Sequence, residues 1–111
     1  MIFFFGPLYS GKRELAKELL GWDDAALEKN CRWDVQDLAA QETDLEGLAD
    51  RLAAFPAVIA TDVGSGVVPL DREERENREK AGRLSCLLSQ RADTVVRVFC
   101  GLPQVLKGEL P

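Results

Sequence analysis

The sequence has 111 residues, of which 46% are hydrophobic and 30% charged, and this is typical of one globular domain with a modest core. Its formal net charge of -5 at pH 7 argues against DNA or RNA as the main partner, because phosphate backbones attract a basic face. The sequence contains no histidine. This excludes a Ser-His-Asp triad, histidine-ligated metals and a histidine-linked intermediate within these residues.

The chain opens on a continuous apolar run at residues 1–5, which predicts a short buried strand that ends at a Gly-Pro turn. The run is too short for a signal peptide or a membrane span, so we expect a cytoplasmic protein that binds no membrane. Leucines on one side of residues 12–20 predict a helix, and Gly21 is a suitable C-terminal stop. Asp23 can cap a short second helix.

The middle of the chain is harder to interpret. Residues 30–42 fit either a short strand or the start of a helix. Thr43, followed three residues later by Glu46, forms a capping box and predicts a helix that ends before Pro56. The apolar residues 57–61 do not alternate with polar ones, which predicts a strand covered on both faces, as in a parallel sheet.

The last third begins with a glycine-punctuated loop at residues 62–69. Residues 70–92 predict one long helix, charged and solvated in its first half and packed in its second. A strand is expected at residues 95–100, followed by a Gly-Leu-Pro break and a short last strand or extended tail. This alternation of strands and helices favours a layered α/β fold with a mostly parallel sheet.

Two residue types have an ordinary structural interpretation. The cysteines Cys31, Cys86 and Cys100 are widely spaced and form no metal-ligand pattern, so we predict buried or half-buried reduced thiols. Trp22 and Trp33 flank the middle segment and are predicted to fill the core or an interface.

The stretch GPLYSGKR has the spacing of a phosphate-binding loop between a strand and a helix. Glycines let the backbone N–H groups converge on an anion, the helix N-terminus adds positive charge, and Lys12 would reach the phosphates. Arg13 stands where Ser or Thr would help to hold Mg²⁺; a guanidinium has only donors, but it can pair with phosphate directly. The alternative is a turn without a ligand. The predicted nucleotide-binding residues are Gly6, Pro7, Leu8, Tyr9, Ser10, Gly11, Lys12 and Arg13.

Short motifs in the second half indicate a family. They are Asp62-Val63-Gly64, Gly66-Val67-Val68-Pro69, Gly82-Arg83 and Gly101-Leu102-Pro103. In this order they make residues 58–107 resemble the C-terminal half of the adenosylcobinamide kinase / adenosylcobinamide-phosphate guanylyltransferase family. That family also opens with a strand and a Gly-x-x-x-Ser-Gly-Lys-Ser type of loop, and residues 6, 10, 11 and 12 match it.

The resemblance implies a P-loop NTPase-like three-layer α/β fold with a small, mostly parallel sheet and a C-terminal antiparallel strand. Residues 1–111 would form one nucleotide-binding domain, shortened at about residues 21–56. The family binds GTP or ATP, phosphorylates adenosylcobinamide in cobalamin biosynthesis, transfers GMP through a guanylylated histidine and forms oligomers. The implied partners are therefore a nucleotide, adenosylcobinamide and further copies of the chain.

Several departures bear on activity. With no histidine the covalent guanylyl route is closed to these residues, and Arg13 replaces the metal-binding hydroxyl. The family's acidic strand is at best a remnant at residues 33–38, and Thr61-Asp62 replaces Asn-Glu. Lys12 and Asp62 are the candidate catalytic residues, although Asp62 also fits a turn cap, and the metal ligands and the need for Mg²⁺ stay open. The first hypothesis is a nucleotide-binding protein of this family that retains kinase activity, and the second is a catalytically inactive structural or regulatory relative. A third, a small P-loop kinase for an unrelated substrate, is disfavoured by the resemblance at residues 58–107.

Overall fold

The structure is a computed structural model that describes residues 1–62 and 71–111. The described residues form one five-stranded sheet in which four strands are parallel and the last is antiparallel to its neighbour. This confirms the predicted α/β class and the C-terminal antiparallel strand. The strands are β1 (Ile2–Gly6), β2 (Cys31–Arg32), β3 (Ala57–Thr61), β4 (Thr94–Phe99) and β5 (Leu102–Lys107), in the spatial order β2-β3-β1-β4-β5.

Helices cover both faces of the sheet. The helices are α1 (Lys12–Leu20), α2 (Asp24–Asn30), α3 (Gln36–Ala39), α4 (Leu45–Leu52) and α5 (Arg72–Arg91). Side chains of α1 and α2 pack on one face, and those of α3, α4 and α5 pack on the other. The fold therefore has three layers, as the P-loop NTPase-like class requires.

The central strand β1 shows why the sheet is buried on both faces. Phe3 joins the core cluster under α4 and α5, whereas Phe4 joins the cluster under α1 and α2, and both are fully buried. Successive side chains of a strand point to opposite faces, so a strand covered on both sides must be continuously apolar. The strand at residues 57–61 is built in the same way, which confirms the prediction made from its sequence.

Several helix boundaries agree with the sequence. The helix at residues 12–20 is confirmed, and Gly21 ends it with a left-handed φ of 67°. The Asp23 side chain accepts a hydrogen bond from the Ala26 N–H and so caps α2. The long helix α5 begins after Asp71 and is exposed over its first turns, while its second half packs on the sheet.

Other local predictions were wrong. The N-cap of α4 is Asp44, whose carboxylate accepts from the Gly47 N–H at 3.0 Å, and not Thr43. Glu46 does not complete a capping box but accepts a 2.6 Å bond from Arg91 of α5. Residues 30–42, left open between a short strand and the start of a helix, contain both: β2 ends at Arg32, Asp34 adopts a left-handed φ of 55°, and α3 begins at Gln36, so no acidic strand remains at residues 33–38.

The C-terminal hairpin also differs from expectation. Cys100 and Gly101 form a tight turn in which both φ angles are positive, 52° and 74°, as a two-residue hairpin of this twist requires. Leu102 and Pro103 therefore belong to β5 and do not break the sheet. Cys100 and Cys86 are exposed, which contradicts their predicted burial, while Cys31 is buried.

The predicted glycine-rich loop and the motifs at residues 63–69 lie outside the described residues. Among the helices that are described, none is long and apolar enough to cross a membrane.

Candidate functional site

The sheet order creates a crevice beside the carboxyl end of β1. From this central strand the chain passes to β2 and β3 on one side and then crosses to β4 on the other. Ligands of open α/β sheets bind at such points, outside the carboxyl ends of the strands. A cavity of about 390 Å³ lies here. It is lined by Leu8, Tyr9, Ser10, Gly11, Lys12, Arg13, Glu14, Trp33, Asp34, Ile59 and Thr61.

The loop before α1 contains left-handed residues, as anion-binding nests do. Tyr9 and Gly11 both have left-handed φ angles, 61° and 84°, and flank Ser10. Gly11 is the N-cap of α1, and no side chain caps the first turn of the helix. The first N–H groups of a helix have no intrahelical acceptor, so these donors and the helix dipole favour an anion at this end.

Two contacts fix the base of the loop. A Cβ atom on Gly6 would collide with the Val98 carbonyl of β4, so only glycine allows the strand to pass so close. The Ser10 carbonyl accepts a 2.8 Å bond from the Gly101 N–H, which ties the loop to the β4-β5 hairpin. Of the eight predicted loop residues, Leu8 to Arg13 line the cavity, while Gly6 and Pro7 lie outside its lining.

Lys12 lies at the floor of the cavity with only 8% of its surface exposed. Its ammonium donates to the Pro7 carbonyl at 2.7 Å and to the Ser10 hydroxyl at 3.4 Å. Burial lowers the pKa of Lys12, the carboxylate of Asp34 opposes that shift, and the guanidinium of Arg13 adds to it. Since an ammonium has three donors, one more is available for an anion in the cavity.

Asp34 is a cavity residue that the sequence analysis included only as part of the segment at residues 33–38 and did not predict as a site residue. The pairing of Cys31 with Ala57 places the end of β2 beside β3 and brings Asp34 to the crevice. Its carboxylate accepts a 3.4 Å hydrogen bond from the Thr61 hydroxyl. The available signal was an acidic residue directly after a short segment that fits a strand.

Arg13 and Trp33 form a second feature of the cavity wall. The guanidinium carbon of Arg13 lies 5.6 Å from the centroid of the Trp33 ring, within the range of a cation–π contact. Trp33 is half-buried and packs against the apolar cluster under α1 and α2. It therefore fills the core, as predicted, and also supports a cationic side chain.

Asp62 does not line the cavity that contains Lys12. It is exposed directly after β3, and its N–H donates to the Gly6 carbonyl at 2.8 Å. It lines a neighbouring cavity of about 550 Å³, which shares Leu8 and Thr61 with the first one. The structure thus places the two candidate catalytic residues in adjacent cavities.

The donors around the loop do not form a recognisable metal site. Within residues 1–62 and 71–111, no group of three or more His, Cys, Asp or Glu side chains is placed to hold a metal ion. Glu14 and Asp34 are the carboxylates among the residues that line the cavity, and the Arg13 guanidinium cannot ligate a cation.

Comparison with known proteins assigns the chain to a family. A family model described as cobinamide kinase / cobinamide phosphate guanyltransferase matches residues 21–106, so the match begins after the phosphate-loop pattern. The bifunctional adenosylcobalamin biosynthesis protein CobU of Salmonella typhimurium is 33% identical over 86 residues, which are 78% of this chain and 44% of that protein.

The bifunctional adenosylcobalamin biosynthesis protein CobP of Pseudomonas aeruginosa is 34% identical over 67 residues, which are 58% of this chain and 39% of that protein. The matched region is thus less than half the length of each of these relatives. Since the family model covers well over half of the 111 residues, the chain belongs to the cobinamide kinase / cobinamide phosphate guanyltransferase family.

Proposed function

We propose that this chain is a nucleotide-binding protein of cobalamin biosynthesis that seats the phosphates of GTP or ATP on the loop at residues 6–13. The observation that carries the proposal is the buried Lys12 side chain at a helix N-terminus that no side chain caps, in the crevice of the sheet. Backbone donors, a helix dipole and a lysine that converge on one cavity are the chemistry that polyphosphate recognition needs.

Each loop residue has a role in this proposal. The N–H groups around Tyr9 and Gly11 would donate to phosphate oxygens, and the Ser10 hydroxyl would orient the Lys12 ammonium by accepting from it. Gly6 keeps the loop close to β4, because a larger residue there would meet the Val98 carbonyl. The positive charges of Lys12 and the helix N-terminus then offset the charge of the bound phosphates.

The neighbouring cavity gives the proposal a place for an acceptor. Asp62 and Asp37 line it together with Arg78. Thr61 lines both this cavity and the one that contains Lys12, which we call the phosphate cavity. An adenosylcobinamide hydroxyl entering from this side would approach the terminal phosphate, with Asp62 as the candidate base. Kinase transfer of this kind needs no histidine, whereas guanylyl transfer through a histidine has no residue to carry it in this sequence.

A non-catalytic relative is the second candidate, and one observation favours it. Phosphoryl transfer depends on charge that a metal ion ordinarily supplies, and Arg13 occupies the position of the loop hydroxyl that would help to hold that ion. Release of GDP or ADP in the presence of cobinamide distinguishes the two: turnover that depends on Lys12 and Asp62 supports the kinase, and binding without turnover supports the structural or regulatory role.

Isothermal titration calorimetry with GTP and with ATP tests the binding proposal. We expect Lys12→Met to weaken binding at least about tenfold, because a charge-assisted hydrogen bond to phosphate is lost. Lys29→Met, at an exposed lysine on α2 outside the cavity, is the matched control and should leave the affinity unchanged. Absence of heat with both nucleotides would refute nucleotide binding.

We also propose that the chain forms a homo-oligomer in the cytoplasm. The oligomer rests on the family resemblance alone. Sedimentation velocity measures the mass of the particle, and a monomer at every concentration tested would contradict this part.

A further inference from the structure

The position after Lys12 carries a charge where a phosphate loop of this spacing would carry a hydroxyl. Arg13 lies in the first turn of α1 and lines the phosphate cavity. A guanidinium has five donors and no acceptor, so it cannot take the place of a hydroxyl ligand to a cation. Its charge also repels a cation that approaches the same wall of the cavity.

Trp33 holds this guanidinium at the cavity. The Arg13 side chain is exposed, but its guanidinium carbon lies 5.6 Å from the Trp33 ring centroid. The ring is anchored, because Trp33 packs against the apolar cluster that includes Leu27 and Ile59. A long side chain that rests on a fixed aromatic face loses less freedom when it binds an anion than one that moves freely in solvent.

Glu14 and Lys12, the other charged side chains that the loop and α1 bring to the cavity, each have a contact within the chain, although Lys12 keeps one donor for a phosphate oxygen. Glu14 pairs with Lys17 at 3.0 Å, and Lys12 is bonded within the loop and faces the charge of Asp34. Arg13, by contrast, forms no ion pair within 4 Å in the part of the chain that the structure describes. It is therefore a cation at the cavity that remains available for a phosphate oxygen.

The donor set does not fit the Mg²⁺ that the family resemblance implies. Among the described residues no cluster of carboxylates, thiols or imidazoles has metal-site geometry, and the loop hydroxyl is replaced. From these observations we infer that Arg13, positioned by Trp33, supplies the second positive charge for the bound polyphosphate, so that binding does not require a divalent cation. This inference rests on the proposed function, since it concerns the same cavity.

Titration calorimetry with inorganic tripolyphosphate, in excess MgCl₂ and separately in EDTA, tests the inference without any contribution from a nucleobase. The wild-type dissociation constant should agree between the two conditions within about twofold. Arg13→Ser should bind about 10- to 150-fold more weakly in EDTA, as expected for the loss of a hydrogen bond to a charged group, and should recover in MgCl₂. The substitution is at an exposed site, so the fold is retained, and circular dichroism verifies this.

The role of Trp33 has its own variants. Trp33→Leu should weaken binding in EDTA about two- to fivefold, and Trp33→Phe should keep most of the affinity, because a ring face remains for the guanidinium. Trp22→Leu is the matched control, since Trp22 packs on the same apolar cluster but does not line the cavity. Arg32→Ser is a second control, because Arg32 stacks on Phe55 outside the cavity.

The outcomes separate this inference from the proposed function. Wild-type binding only in MgCl₂, or an Arg13→Ser variant that matches wild type in EDTA, overturns the inference and leaves phosphate binding in place. Equal loss in Trp22→Leu and Trp33→Leu overturns the positioning role of Trp33. No wild-type binding of tripolyphosphate or GTP in either condition overturns the proposed function and the inference together.

Discussion

Gly6→Ala tests whether the backbone at Gly6 lies as close to β4 as the structure shows. The added Cβ would collide with the Val98 carbonyl oxygen and lie 3.2 Å from the Val98 carbonyl carbon. Both atoms are backbone of β4, which is hydrogen-bonded to β1 and β5 and cannot move without disturbing the sheet. Overpacking of this kind costs about 1–3 kcal/mol, a substantial part of the stability of a small domain.

Gly82→Ala is the matched control. Gly82 lies inside α5, is exposed, and a Cβ there meets no atom within 4 Å. Alanine should therefore stabilise the chain by about 0.5–1 kcal/mol through its better helix propensity. Urea unfolding followed by circular dichroism measures both variants. A Gly6→Ala variant with the same unfolding free energy as wild type, or a higher one, would refute the close approach of the loop to β4.

Three further predictions concern capping, thiol burial and pH. Asp44→Ala should lower the unfolding free energy by about 1 kcal/mol through loss of the α4 N-cap, whereas Thr43→Ala should leave it unchanged; equal effects in urea denaturation would contradict this assignment. Ellman's reagent should titrate two thiols in the native chain and the third only after unfolding, because burial raises the pKa of Cys31 to about 12; three fast thiols would contradict its burial. Affinity for tripolyphosphate should fall as the pH is raised toward 10.5, because the lowered pKa of Lys12 removes its charge below that value, and a pH-independent affinity would contradict the role of Lys12. Over the same window the unfolded chain holds a proton that the folded one has released, so the free energy of unfolding should rise.

Elements with strong local signals were predictable from the sequence. The helix at residues 12–20 could be predicted, because the spacing of its apolar residues and the position of Gly21 indicate the same end. The strand at residues 57–61 could be predicted, because a continuous apolar run of that length fits a strand buried on both faces. The α4 cap could not be predicted, because Thr43 and Asp44 are both good caps and only the packing of the following leucines decides between them.

The rest of the site depends on contacts between residues that are far apart in the sequence, and no local sequence pattern predicts these contacts. β2 has only two residues, too few for any periodicity, and its parallel register with β3 is what carries Asp34 to the crevice. The contact between Arg13 and Trp33 likewise joins helix α1 to a loop residue twenty positions later in the sequence. The loop motif therefore predicted one wall of the cavity, whereas the opposite wall, with Trp33 and Asp34, could be identified only from the structure.

A titration of the ¹⁵N-labelled chain with GTP, followed by two-dimensional amide NMR, tests whether the nucleotide binds at the loop of residues 6–13, because the shifted amides locate the ligand. We expect the largest shifts on the backbone amides of residues 9–14 and on the indole N–H of Trp33. Shifts confined to another surface, such as the groove between α4 and α5 lined by Leu45 and Cys86, would contradict this expectation, as would the absence of any shift.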